Sequence, residues 1–191
     1  MHGLVKAVLE AFAKGKKLLP KVTTSTKYKH WISREDPRRC TDCKQNHGKV
    51  YLIGEKPNPK PPLHPNCRCA IELMNAIVVG TATTNGTDGA DWKLMFEAIL
   101  PTYYVSDTEA SAAGWKRGKC PSDYLPGKMI SMGMYQNRDG HLPSAQNRQW
   151  YEADINYSVG RRNDQRIVWS NDGLVFVTYD HYKTFYEITG E

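Results

Sequence analysis

The chain has 191 residues, 40% of them hydrophobic and 24% charged, with a formal net charge of +6. That length favours one or two domains, and no apolar run approaches the ~20 residues needed to span a membrane. The charge is uneven: residues 1–80 hold 15 Lys and Arg against 6 Asp and Glu, whereas residues 81–191 hold 11 against 14. The basic front half can attract nucleic acid or acidic partners, or be no more than a solvated lysine-rich surface; in the C-terminal half any arginine chemistry must be local.

From the N-terminus, the stretch Leu4 to Ala13 is interrupted by Lys6 and Glu10. It reads as an amphipathic helix and lacks the apolar core of a conventional signal peptide, so export would need another route or a larger parent chain. Four of the five cysteines follow: Cys40-Thr-Asp-Cys43, then, after His47, His64-Pro-Asn-Cys67-Arg-Cys69. Two such pairs suit a tetrahedral zinc with soft thiolate ligands. Cys40, Cys43, Cys67 and Cys69 are the candidate ligands, with His64 competing for a place. One or two disulfides are the alternative if the mature protein lives outside the cell. A structural metal would fold a segment too small and polar to build its own core. Between the pairs, Asn58 to Pro62 is a stiff, extended spacer. Thr81 to Gly89 is polar with little to bury. The boundaries expected are therefore a basic segment over 1–80 with its Cys/His cluster at 33–73, a linker over 81–89, and a globular domain over 90–191.

Beyond the linker, Trp92, Met95, Phe96, Ile99 and Leu100 recur at helical spacing, and Pro101 follows the stop. Ser106-Asp-Thr-Glu109 is a capping box, and Gly114 ends that short helix. A loop-rich stretch runs from Lys116 to Pro143. Glu152 to Tyr157 then alternates as a strand, with Glu152, Asp154 and Asn156 on one face and Ala153, Ile155 and Tyr157 on the other. Arg166–Ser170 and Leu174–Thr178 flank Asn171-Asp-Gly173, a hairpin signal. Tyr182 to Ile188 can form a last strand. Helices first and an antiparallel sheet after is an α+β order.

The chemistry concentrates between Trp150 and Tyr182. A carboxylate (Glu152), arginines (Arg161, Arg162, Arg166) and a histidine (His181) can together cut a phosphodiester without a metal. The carboxylate takes a proton from a 2′-hydroxyl, the imidazole protonates the leaving oxygen, and the guanidiniums hold the phosphate charge. Adjacent antiparallel strands can bring them together. The bland alternative is a solvated Glu152, an exposed His181, and Arg161 and Arg162 paired with Asp154 and Asp164.

Residues from about 88 to 191 resemble a bacterial ribonuclease of the barnase family. The match runs in order through Leu100-Pro101, Glu109-Ala110, Gly114-Trp115, Pro126-Gly-Lys128, Asn137-Arg138, Glu152-Ala-Asp-Ile-Asn-Tyr157, Arg162-Asn163, Arg166-Ile167 and Asp180-His-Tyr182. The resemblance implies a small α+β domain, with helices on one face of an antiparallel sheet. It implies Glu152 as general base, His181 as general acid, and Arg162 and Arg166 on the phosphate. It implies a guanine-holding loop of Tyr135, Asn137, Arg138 and Asp139, with Tyr182 beside the base. The implied reaction is transesterification of single-stranded RNA to a 2′,3′-cyclic phosphate, with a purine (guanine) preference and no cofactor. An acidic inhibitor like barstar is the implied partner.

Three departures stand out. Asp107 occupies the place of a family lysine, Gly133 that of an aspartate, and Asp139 that of a longer glutamate. Arg161 stands where the family's best-known member has an aromatic, and Arg161 or Lys128 could supply the missing cation. An active but slowed nuclease with relaxed base preference is expected. Residues 33–73 are similar to the C-terminal part of Mu-type phage head morphogenesis (minor head) proteins, through the Cys-x-x-Cys, Gly48-Lys-Val-Tyr51 and the run Pro61 to Cys69. The two resemblances together imply a toxin effector appended to a carrier, secreted or delivered into a target cell. The alternatives are an RNA-binding module that has lost activity and a structural head module.

Overall fold

The computed structural model describes residues 20–157 and 159–190. The helix expected between Leu4 and Ala13 lies outside the described residues. In chain order the elements are β1 (Val22–Ile32), α1 (Thr41–Asn46), β2 (Val50–Leu52), β3 (Ala70–Val78), α2 (Ala90–Glu97), β4 (Tyr104–Ser106), α3 (Asp107–Ala112), β5 (Met129–Tyr135), β6 (Trp150–Asp154), β7 (Arg166–Ser170), β8 (Val175–Thr178) and β9 (Tyr186–Thr189). The strands form one nine-stranded sheet in the order β2-β1-β3-β9-β8-β7-β6-β5-β4.

This α+β architecture corrects two expectations. The sheet is mixed, because β3 runs parallel to β9 and β4 parallel to β5. The Cys/His-rich segment is also not separate from the sheet. Its strands β1 and β3 extend the C-terminal strands by pairing Ala76 with Glu187 and Ile77 with Ile188. The physical reason is that the basic N-terminal segment, with its polar Cys/His stretch, lacks a core of its own. Sharing the sheet buries Met74 and Ile77, each worth ~1.5–3 kcal/mol. Across the junction, the Ser25 hydroxyl donates to the buried Glu187 carboxylate at 2.5 Å.

Strand alternation gives the sheet two faces. On one, Ala153, Ile155, Ile167, Val177 and Ile188 form a core with Ala90 and Leu94 of α2. On the other, Trp150, Val168 and Phe176 cluster with Tyr28, Met74 and Phe185. Glu152, opposite Val168, shares this second face. The helical spacing at Trp92 and Met95 is realised as α2, which ends at Ala98 in a left-handed conformation. The capping box is present: the Ser106 hydroxyl accepts from the Glu109 amide and Glu109 accepts from the Ser106 amide.

The stretch 81–89 is packed rather than free. Ala82 and Thr83 are buried. The fully buried Asp91 explains this, since its carboxylate accepts from the amides of Gly80 (2.7 Å) and Ala82 (3.1 Å) and from the Thr83 hydroxyl (2.7 Å). A Cβ at Gly89 would sit 1.9 Å from that hydroxyl. Strand β6 ends at Asp154, short of Tyr157, because Asn156 turns left-handed (φ 62). The Asn156 side-chain Nδ2 donates to the Ala82 carbonyl and to the Gln165 side-chain oxygen.

Candidate active site

Seven of the candidate residues line one cleft of about 530 Å³: Tyr135, Asn137, Arg138, Asp139, Glu152, His181 and Tyr182. Glu152 reaches it from β6, in register with Gly133 and Val168. One of its carboxylate oxygens, Oε2, is buried with no hydrogen-bond partner among the described residues. The missing Cβ at Gly133 leaves the space beside it open. A carboxylate oxygen left without a partner in a cleft can accept a proton from a ligand.

The turn after β8 presents the histidine. Asp180 accepts from the Thr178 hydroxyl (3.0 Å) and the Thr184 amide (2.9 Å), and the Thr178 hydroxyl accepts from the Tyr182 amide (3.0 Å). Within that frame His181 and Tyr182 both adopt left-handed backbone, φ 58 and 67. Such non-glycine residues cost ~1–3 kcal/mol each and mark functional turns. The result is an exposed imidazole beside a half-buried phenol that stacks on Tyr135 at 5.2 Å. Burial, then the neighbouring Glu152, raise the Tyr182 hydroxyl well above its ordinary pKa, while Arg166 acts the other way. Burial, then Asp139 and Glu152, push Tyr135 up to about 12. Both phenols therefore stay protonated around the carboxylate.

The arginines are organised from below. Asp154 is fully buried and receives Arg162 through two hydrogen bonds of 2.6 Å. Arg166 Nε lies 3.0 Å from Asp154 Oδ1, off line for a hydrogen bond. Its Nη1 donates to the carbonyls of Asn163 and Gln165. One carboxylate thus orients two guanidiniums. The expected pairing of Arg162 with Asp154 coexists with its candidate role. None of Arg161, Arg162 and Arg166 lines the cleft itself; Arg161 is exposed, and Arg166 is buried.

The loop following β5 is shaped by Asn137, whose side chain donates to the Leu142 carbonyl (2.8 Å) and accepts from its amide (3.0 Å). Asn137 therefore sets the loop and leaves Arg138 and Asp139 exposed at its tip. Asp107 Oδ2 accepts from Arg117 at 3.3 Å, while Oδ1 is buried with no hydrogen-bond partner among the described residues. Lys128 donates to the Thr102 carbonyl at 2.9 Å, so its ammonium is already engaged. Arg117 is the cation beside Asp107, and the sequence offered no motif that singles it out.

Sequence reasoning also missed His141 and Lys183, which line the cleft. His141 bridges two regions, with Nδ1 3.3 Å from the Tyr182 carbonyl and Nε2 3.0 Å from that of His47. Only the long-range packing of residues 47–50 onto this loop reveals it.

The cysteines form a second constellation. Cys40, Cys43 and His64 form one group of mutually close donor atoms, and Cys43, Cys67 and Cys69 another. His64 Nε2 lies 3.2 Å from Cys40 Sγ and 3.3 Å from Cys43 Sγ, and Cys43 Sγ lies 3.7 Å from Cys67 Sγ. All four thiols are free. Zinc–thiolate bonds of about 2.3 Å put tetrahedral sulfurs about 3.8 Å apart, so the residues fit such an ion. The His64 Nδ1 donates to the Pro65 carbonyl at 2.8 Å, which leaves Nε2 as the donor atom facing the thiols. Five side chains thus offer ligands for four positions.

Comparison with known proteins gives two families. The profile of the family described as ribonuclease matches residues 95–189, and that described as Phage Mu protein F like protein matches residues 8–72. A protein of Bacillus pumilus named Ribonuclease is 41% identical over 129 residues, 66% of this chain and 78% of its own length. Proteins of the same name from Heyndrickxia coagulans and Bacillus intermedius are each 45% identical over 109 residues, 56% of this chain. Those matches cover 99% and 67% of their respective lengths.

Proposed function

This chain belongs to the ribonuclease family, and we propose that it is an endoribonuclease that cleaves single-stranded RNA by acid/base transesterification. The observation that carries the reading is the shared cleft, lined by both Glu152, whose Oε2 has no partner among the described residues, and the exposed imidazole of His181. In the proposed reaction Glu152 removes the proton of the ribose 2′-hydroxyl. The 2′-oxygen then attacks phosphorus, and the bond to the 5′-oxygen breaks. His181 protonates that leaving oxygen, giving a 2′,3′-cyclic phosphate. Water opens the ring in a slower second step, with the two roles exchanged. Arg162 and Arg166, oriented by Asp154, stabilise the extra negative charge of the pentacoordinate phosphorane. Every part of this chemistry is supplied by side chains. The loop of Tyr135, Asn137, Arg138 and Asp139, with Tyr182, holds a purine 5′ to the cut, and the short Asp139 relaxes a preference for guanine. Arg161, outside the cleft, could meet a phosphate further along the strand.

Asp107 supports a second reading, a catalytically impaired RNA-binding or phage-head module, because it sets negative charge where a cation would help. Identifying products by mass spectrometry, with and without EDTA, separates the two. The enzyme yields cyclic-phosphate fragments ending in a purine in both conditions. Intact RNA, or cleavage abolished by EDTA in protein that circular dichroism shows still folded, would contradict the proposal.

We further propose that residues 40–69 hold a structural zinc through four of Cys40, Cys43, His64, Cys67 and Cys69, and that residues 90–191 form the ribonuclease unit. The match of residues 8–72 to the Phage Mu protein F like family, ahead of a nuclease, supports a toxin effector on a carrier, delivered into a target cell. Its producer would need an acidic inhibitor whose carboxylates face the phosphate-binding arginines.

A further inference from the structure

A second cleft, of about 990 Å³, adjoins the first and shares Arg138, Asp139, His141 and Lys183 with it. Its far wall comes from the N-terminal segment, through Lys44 of α1 and Lys49 beyond it. We propose that this trough is an extended single-stranded RNA site, in which Lys44 and Lys49 take backbone phosphates of nucleotides beyond the cleaved step. The inference rests on the ribonuclease reading and adds a substrate length to it.

The charges favour a polyanion. Lys44, Arg138 and Lys183 have no carboxylate partner among the described residues, and Lys49 meets only the neutral Asn46 side chain, at 2.9 Å. The acidic groups of the trough are mostly engaged. Glu35 pairs with Arg39 at 3.2 Å, and Asp180 is held by Thr178 and Thr184. Asp139 alone has no partner among the described residues. The net local charge is therefore cationic, although the C-terminal half as a whole is acidic. A wall of unpaired lysines facing an arginine suits repeating phosphates better than a single small anion.

The wall is also rigid. Cys40 caps α1 and Cys43 lies within it, so the thiol cluster fixes the helix that carries Lys44. The Val50 amide donates to the Gly140 carbonyl at 3.2 Å. His141 reaches the His47 carbonyl, and a Cβ at Gly48 would be 2.6 Å from the His141 ring. These contacts tie the lysine wall to the loop of Arg138 and Asp139, so a strand bound at one cleft is already aligned with the other.

The test uses the full chain and an RNA of about ten nucleotides containing one guanine, with binding measured in a Glu152→Ala background between about 50 and 200 mM salt. Lys44→Ala with Lys49→Ala should weaken binding about tenfold at the lower salt. It should also make the slope of log K against log salt shallower by about 1.4, for two lost contacts at ~0.7 each. With Glu152 intact, the same double substitution should leave kcat/KM on the dinucleotide GpU within about twofold, because GpU does not reach the second wall. Unchanged affinity and slope, or an equal loss on GpU, overturns the proposal. So does displacement of the RNA by polyglutamate at equal charge concentration, which would assign the trough to an acidic protein. If the wild type binds the longer RNA with the expected salt slope yet fails to cut GpU, the ribonuclease reading falls and the trough stands.

Discussion

Arg162 and Asp154 meet as a bidentate pair, Nε and Nη2 of the guanidinium each 2.6 Å from one carboxylate oxygen. Asp154 is fully buried, and Arg166 approaches the same carboxylate at 3.0 Å. Two cations are therefore positioned by one fully buried anion. Removing that anion leaves two buried or half-buried guanidiniums facing each other uncompensated.

Asp154→Asn should accordingly lower the unfolding free energy at neutral pH by about 3–5 kcal/mol. Urea denaturation of wild type and variant measures this. A loss below about 1 kcal/mol would mean the pair is no stronger than a surface contact.

Asp107→Lys should raise kcat/KM on GpN substrates about tenfold or more, since one well-placed charge at developing phosphate charge is commonly worth ~10²–10³. Arg117 loses its partner in this variant, so Arg117→Ala alone separates the two effects. It should lower the rate if Arg117 already screens Asp107. An unchanged or lower rate in Asp107→Lys contradicts the missing-cation argument.

Acid should destabilise the junction between the two halves. Burial, then the charges of His47 and His141, lower His30 to about 4. Glu72 lies opposite it on β3, and Glu35 and Lys183 line the same cavity. The unfolded chain binds the His30 proton near pH 6.5 and the folded chain only near 4, so stability rises with pH across that interval. The contribution is complete above about 6.5 and is lost as pH falls through about 4, on the order of 3 kcal/mol in all. His30→Gln should flatten the pH dependence of thermal unfolding between those values. An equal slope in wild type and variant would remove His30 from the account.

The zinc proposal concentrates on Cys43, which belongs to both ligand groups. Protein purified under reducing conditions should carry about one zinc per chain by elemental analysis, and chelation should lower its unfolding temperature. Cys43→Ser should lose the metal, whereas Cys120→Ser, in the other half of the chain, should keep it. Absence of zinc in the reduced wild type would return the cluster to free thiols.

Much of this was legible in the residues. The alternation at Ala153 and Ile155, the hairpin at Asn171-Asp-Gly173 and the capping box at Ser106 are local patterns, and local patterns declare themselves in sequence. Adjacent strands predict a gathering of Glu152, Arg166 and His181; Glu152 and His181 do share the cleft, whereas Arg166 is buried against Asp154 and does not line it. What stayed hidden depends on contacts between residues far apart in the chain. Nothing local to Val22–Ile32 or Ala70–Val78 announces pairing with Tyr186–Thr189, and Asp91 as the anchor of 81–89 reads as an ordinary helix-start aspartate. The lysine wall at Lys44 and Lys49 was hidden for the same reason, as its meaning comes only from the loop it faces.

The most direct test of the account is release of acid-soluble product from labelled single-stranded RNA by the full chain, its Glu152→Ala variant and its His181→Ala variant, at matched folding by circular dichroism. General acid and base groups contribute about 10²–10⁴ each. The wild type should release product, and each variant should be slower by at least about a hundredfold. Equal release by all three, or none by a folded wild type, would contradict it.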